Sequence, residues 1–374
     1  MNNDLLYKIA LTLVPNIGDI YAKNLISFFG SAEAVFRQSV KQLTQLPNIA
    51  EKSALQMHQH LSQKEFLLRA ESELEFIEDN QVGVLFHDDE DYPRRLKHCH
   101  DAPVLLYYKG NADLNASKIV SVVGTRTPTD YGIKITEQLI EDLSSQDILI
   151  VSGLAYGVDV CAHQSALKYK LNTIGVVAHG HDRIYPSHHE KIAYQMQKQG
   201  GILTEFMSET NPDRENFPKR NRIVAGMCDA LVVVETKVKG GSLITAEIAN
   251  SYSRDVFAFP GRSGDELSSG CNAFIKRNKA VLIEHAGDLL YAMNWNNDEL
   301  PQKNKNKIQQ IPLQIMLNEK EQKIVDALKE KEKVHIDEVS NYAGLTSSET
   351  SGILLQLEFN NIVKSLPGKL YGLI

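Results

Sequence analysis

Three cations fall within four residues at Lys219, Arg220 and Arg222, in the run Phe217-Pro218-Lys219-Arg220-Asn221-Arg222-Ile223 of a 374-residue chain whose formal net charge is −7. Such a run is suited to holding an anion. Pro218 fits the first turn of a helix, where a missing N–H costs little, so the cations are expected to decorate a helix N-terminus. That end of a helix already favours phosphate. At about 100° per residue the three side chains cannot all point one way, which favours a linear polyanion lying across the helix start over one small carboxylate. Phe217 stands beside them, able to stack a base. The competing reading is a solvated basic helix start paired with Asp213, Glu215 or Glu235.

Four further stretches could hold an anion through backbone N–H groups. They are Gly124-Thr125-Arg126 through Gly132, Ser152-Gly153 through Asp159, the Lys237, Lys239, Gly240-Gly241-Ser242 run, and Pro260-Gly261-Arg262. Each follows an apolar run that reads as a strand. One glycine after a strand is normally only a turn, but four such loops on one sheet edge, two of them with Arg, point to a ligand. No Gly-x-Gly-x-x-Gly follows the first strand and no Gly-x-x-x-x-Gly-Lys-Ser/Thr occurs, which disfavours a dinucleotide cofactor and a P-loop nucleotide hydrolase. The pairs His179/His181 and His188/His189 lack the i, i+4 spacing of a zinc helix and read as loop polarity. No serine sits in a nucleophile elbow and Cys161 has no evident base partner, so no catalytic residue, metal or cofactor is expected.

The elements that must position these loops follow from hydrophobic patterning. Continuous β-branched runs at 119–123, 148–151, 173–177, 230–234, 256–259 and 280–283 mean strands buried on both faces, as in a parallel sheet covered by helices. The fold class is therefore α/β, a doubly wound, extended Rossmann-like domain, expected over 66–295. Residues 1–65 read as a small helical domain, with related phrases Leu13-Val14-Pro15-Asn16-Ile17-Gly18 and Gln45-Leu46-Pro47-Asn48-Ile49-Ala50 resembling a doubled helix-hairpin-helix. Only the first keeps its glycine, and a packing or partner-docking role is favoured over DNA contact. Residues 296–314 form a polar linker, and 315–374 fit a winged helix, with Asn318 capping its first helix, Thr346-Ser347-Ser348-Glu349 as a capping box, and Leu366-Pro367-Gly368-Lys369 as its last turn. Its third helix carries Glu349 and Glu358 with no Lys or Arg, and residues 313–374 hold 7 basic against 9 acidic side chains. A major-groove reader needs the reverse, so a protein-interaction role is expected.

The negative charge argues against a general nucleic-acid coat, because sequence-independent affinity comes from neutralising phosphates; any polyanion site must be local. No window approaches the apolar length of a membrane span and the first residues show no signal-peptide pattern, so a cytoplasmic protein is expected. The four cysteines are far apart and read as small core residues.

Taken in order, these phrases resemble the DNA-processing protein A family, also called the Smf family. The resemblance rests on Tyr92-Pro93, Pro103 through Gly110, Val123-Gly124-Thr125-Arg126, Ser152 through Asp159 with Ala162-His163, Asp182 through Pro186, Phe217 through Ile223, Gly240 through Ala246, and Phe259-Pro260-Gly261. It implies single-stranded DNA binding without cutting during natural transformation, a homodimer, loading of the RecA recombinase, and dealings with single-strand-binding protein. The implied strand-binding residues are Gly124, Thr125 and Arg126; Ser152 and Gly153; Phe217, Lys219, Arg220, Asn221 and Arg222; and Lys239, Gly240, Gly241 and Ser242. An alternative is a nucleotide phosphoribohydrolase of related α/β architecture, which Gly240-Gly241-Ser242 through Glu247 also resembles, with Glu247 placed to stabilise a developing oxocarbenium charge. In that alignment Lys239 replaces a proline and the inner Gly-Thr is missing.

Overall fold

A computed structural model describes residues 3–47, 49–295, 317–329, 334–360, 362–366 and 370–373. The expected linker at 296–314 and the turn through Pro367, Gly368 and Lys369 lie outside the described residues. The chain forms two compact units, Met1–Asn297 and Asp298–Ile374.

The first unit opens with six helices: α1 Asn3–Leu13, α2 Asp19–Phe29, α3 Ala32–Phe36, α4 Val40–Leu43, α5 Glu51–Leu61 and α6 Lys64–Asn80. Gly18 and Ala50 stand at the N-caps of α2 and α5, so the two related phrases do occupy equivalent hairpin positions. Ile9, Leu11, Leu25, Val35 and Leu43 close a core that continues onto Val104 and onto Leu105 and Tyr107 of the sheet. The first hairpin is tied down by side chains: Asp19 Oδ1 accepts from the Val104 amide at 2.9 Å and Lys23 Nζ donates to the Ala102 carbonyl at 2.9 Å.

The sheet has nine strands: β1 Gly83–Phe86, β2 Leu105–Gly110, β3 Lys118–Val123, β4 Ile148–Ser152, β5 Thr173–Val176, β6 Gly200–Thr204, β7 Ala230–Val233, β8 Asp255–Ala258 and β9 Val281–Leu282, in the order β1-β2-β6-β5-β4-β3-β7-β8-β9. Strands β3 to β9 are parallel, while β2 pairs antiparallel with β6 and β1 with β2. The six strands read from β-branched runs are all present, and β1, β2 and β6 extend them into a mixed sheet. Strand β6 escapes a hydrophobicity reading because it opens on Gly200-Gly201. Those glycines are needed: the backbone at Gly200 has φ 137°, and the Tyr108 ring of β2 packs where a Gly201 side chain would stand.

Helices cover both faces: α7 Arg94–Lys97, α8 Asp130–Leu143, α9 Val158–Lys168, α10 Glu190–Met196, α11 Asn216–Met227, α12 Gly241–Ser251, α13 Ser269–Lys276 and α14 Ala286–Ala292. Alternate residues of one strand serve opposite cores, as a period of two requires. Val120 and Val122 pack with Leu139, Ile140 and Ala162 of α8 and α9, whereas Ile119 and Val123 pack with Ile223, Val224 and Leu243 of α11 and α12. From β3 the chain winds outward through β4, β5 and β6, then returns to β7 on the other side of β3. The loops after β3 and β7 thus diverge at a switch point, where such sheets leave a crevice.

In the second unit, α15 Glu319–Lys329, α16 Ile336–Ala343 and α17 Ser347–Phe359 accompany β10 Val334–His335, β11 Val363–Leu366 and β12 Leu370–Leu373, paired in the order β10-β12-β11. Asn318 Oδ1 accepts from the Glu321 amide at 2.9 Å, and Thr346 and Glu349 form the expected capping box. Helices followed by a small antiparallel sheet make this a winged helix.

Candidate nucleic-acid interface

The crevice at the switch point is a cleft of about 710 Å³. Gly124, Thr125 and Arg126 reach it from the loop after β3, Gly153 and Asp159 from the segment after β4, and Lys239, Gly240, Gly241 and Ser242 from the loop after β7. Helix α11 supplies Phe217, Arg220 and Asn221 as the opposite wall. Eleven of the fourteen residues expected from the sequence therefore meet in one place, though they span more than a hundred positions of chain.

The other three do not line it. Ser152 is fully buried in β4, its hydroxyl donating to the Val122 carbonyl at 2.6 Å. Lys219 and Arg222 border a second cleft, between the N-terminal helices and the sheet. Arg222 is held there by Asp19 at 3.1 Å, by Glu205 and by the Asp101 carbonyl. The single clamp of three cations is thus divided by helical geometry: Arg220 faces the sheet-edge cleft, and Arg222, two residues on, faces the other way. The carboxylates suggested as bland partners are not the ones used. Glu235 instead turns inward to α8, accepting from the Thr129 amide at 2.9 Å and the Thr129 hydroxyl at 2.6 Å.

Glu235 has a consequence for ligand chemistry. The helix after the first parallel strand is where a Rossmann domain holds a pyrophosphate. Here that N-terminus receives the protein's own carboxylate, so the glycine turn at Gly124 does not offer α8 to a phosphate. The N-terminus of α12 at Gly241 and Ser242 remains on the cleft wall.

The cleft floor is cationic but constrained. Arg220 is only 5% exposed, with Nη1 donating to the Val176 carbonyl at 2.7 Å and Nε without a hydrogen-bond partner among the described residues. Asp159 lies beside it, and burial pushes that carboxyl up against the pull of Arg220. Both crowd Gly153, where an added Cβ would collide with Arg220 Nη1 and Asp159 Oδ2. Gly157, at φ +82°, lets the chain pass directly over the Thr125 carbonyl. Beneath, His163 is fully buried between the Gly153 carbonyl and the Thr173 hydroxyl, and desolvation lowers its pKa to about 4. A carbonyl only accepts, so Nε2 carries the proton and the ring is neutral.

At the rim, the Arg126 guanidinium lies 5.4 Å from the centroid of the Phe217 ring, and Tyr185 meets that ring at 6.2 Å and 60°. Tyr185 and Arg214 also line the cleft, and neither stood among the expected residues. An aromatic within a basic loop phrase was the available signal for Tyr185; Arg214 carried none. Glu247, the carboxylate of the enzymatic alternative, is paired at the surface with Lys279 at 2.5 Å and does not line the cleft. His179 and His181 hydrogen-bond to backbone groups at Tyr185 and Tyr107, in keeping with loop polarity.

Half-buried Phe217 and exposed Tyr185 thus stand beside Arg126, which among the described residues forms no ion pair, above a floor of buried charge; cations next to aromatic rings can hold an extended anion carrying planar groups. A family model for DNA recombination-mediator protein A matches residues 83–294, a DprA winged helix domain model matches 312–369, and a SAM-like helix-hairpin-helix tandem matches 8–63. The chain is 34% identical over 289 residues to Protein Smf of Synechocystis sp., covering 75% of this chain and 71% of the relative. It is 42% identical over 202 residues to DNA processing protein DprA of Streptococcus pneumoniae, covering 54% and 71%. The X-ray structure of the Streptococcus pneumoniae protein superposes with a TM-score of 0.65 at 30% identity, covering 78% of this chain and 98% of the other. DNA processing protein A of Helicobacter pylori, whose structure concerns its single-stranded DNA binding mode, gives a TM-score of 0.53 at 29% identity, covering 57% and 96%. With its central, N-terminal and C-terminal regions all matched in order, this chain belongs to the DNA recombination-mediator protein A family, the DNA-processing A or Smf proteins.

Proposed function

We propose that this protein binds single-stranded DNA in the switch-point cleft, without cutting it, and acts as a homodimer in the cytoplasm to protect incoming DNA and load the RecA recombinase in natural transformation. The observation that carries the strand-binding reading is the Arg126–Phe217 pair facing Lys239 and the start of α12 across one cleft. Phosphates meet Arg126 and Lys239, a base stacks beside Phe217, and the buried Arg220 adds positive potential from below. Backbone contacts of this kind carry no sequence information, so binding is sequence-tolerant. Loading RecA, contending with single-strand-binding protein and pairing with a second copy are supported by family membership.

Fluorescence anisotropy on a labelled single-stranded oligonucleotide tests the strand site. Arg126→Ala with Lys239→Ala should weaken binding at least tenfold and reduce the slope of log affinity against log salt by about 1.4, roughly 0.7 per lost phosphate contact. Wild-type affinity and slope in a folded double variant would remove the cleft from the function. On strands coated with single-strand-binding protein, the wild-type chain should shorten the lag before RecA hydrolyses ATP and the double variant should not.

A further inference from the structure

A second basic surface begins where the cleft ends. Between α9 and α10 runs a furrow of about 680 Å³, whose eleven lining residues include Lys168, Lys191, Lys198 and His188 and not one Asp or Glu. Among the described residues none of the three lysines forms an ion pair. Glu137 and Glu141 of α8 are near enough to Lys168 to act on it through their charge. In a chain of net charge −7, three lysines along one furrow lined by no carboxylate are a local exception. Like charges held together cost free energy unless a polyanion shares them.

The furrow is continuous with the cleft. Tyr156 and Tyr185 line the small pocket that also holds Arg126 and Phe217. The Tyr156 hydroxyl lies 3.5 Å from His188 Nδ1, and its ring packs against His189 at 4.9 Å; both histidines line the furrow. Outside the furrow's own lining, Tyr194 of α10 is 60% exposed, with Lys198 Nζ, a lining residue, 4.3 Å from its ring centroid. Lysines beside exposed aromatic rings suit a single strand, whose phosphates meet the cations and whose bases stack on the rings.

We propose that the furrow between α9 and α10 is a second strand-binding segment, which takes single-stranded DNA leaving the cleft over Tyr156 and His188. Its phosphates meet Lys191, Lys198 and Lys168, and a base stacks on Tyr194. This rests on the strand-binding reading of the cleft, and strand length separates the two. The full-length protein is titrated onto labelled strands of about four and about sixteen nucleotides, the span of known single-strand site sizes. In the variant K168A/K191A/K198A, affinity for the longer strand should fall at least tenfold and its salt slope by about 2, with the short strand unaffected. Tyr194→Ala should weaken the longer strand by about fivefold or more. Wild-type affinity and slope for the longer strand, in variants whose circular dichroism shows them folded, overturn the proposal. If the triple variant does not fold, Lys191→Glu and Lys198→Glu singly carry the same test, each lowering the slope by about 0.7. Short-strand binding that survives Arg126→Ala, alongside long-strand binding lost in the lysine variants, would overturn the cleft reading and keep the furrow.

Discussion

Gly153 and His163 show how much of the cleft is decided beneath its surface. The Gly153 carbonyl hangs from the buried, neutral ring of His163, while its α-carbon leaves room for Arg220 and Asp159. Folding therefore favours the unprotonated ring. Since its folded pKa is depressed to about 4 from the ordinary 6.5, the unfolded chain binds more protons between these values, and stability falls as pH drops from about 6.5 to about 4. That difference corresponds to about 3 kcal/mol. Replacing His163 with Gln should flatten this part of the stability curve relative to wild type, as urea unfolding at several pH values will read. An identical pH dependence in both proteins would deny His163 that role. From the sequence, His163 was part of a family phrase with no assigned task; its burial depends on Thr173 and Gly153, each ten residues away.

Helix α11 is the element whose two faces divide the basic run. Arg220 and Asn221 face the switch-point cleft, and Arg222 braces the N-terminal helices through Asp19 while holding Glu205. Arg222 is thus a strut between two layers of the first unit. Truncating it leaves two carboxylates without their cation, so Arg222→Ala should cost on the order of 3 kcal/mol in urea unfolding. Strand affinity of the folded fraction should stay within about twofold, because the side chain does not line the cleft. A tenfold loss of affinity at unchanged stability would return Arg222 to the binding wall. Helical periodicity already said the three cations diverge; which of them meets the strand edge depended on how α11 is rotated by Ile223 and Val224 packing onto the sheet.

Across the whole molecule, the cleft and the furrow lie in the first unit, within residues 123–245. The winged-helix unit brings an acidic balance and no cation on α17. A chain ending at residue 297 should therefore bind a single strand with affinity and salt slope close to those of the full protein. A loss of tenfold or more by anisotropy would give the second unit a direct part in holding DNA. The acidic total is compatible with strand binding because screening confines each charge to roughly a Debye length, about 8 Å at physiological salt, so a few unpaired cations govern their own cleft.

The sequence by itself determined the class of fold, the winged-helix caps, and the loops that reach the strand ends, since these depend on side-chain period, cap chemistry and glycine turns within a few residues. It also placed Arg126, Phe217 and Gly240-Gly241-Ser242 among the binding candidates. Tertiary structure alone decided that Glu235 occupies the N-terminus of α8, that Ser152 is sealed in β4, that Lys219 and Arg222 turn to a different cleft, and that Tyr156 leads to the lysines between α9 and α10. The physical reason is common to all four. A side chain's role is set by what lies within a few ångströms of it, and those neighbours come from strands and helices that only the packing of the sheet brings together.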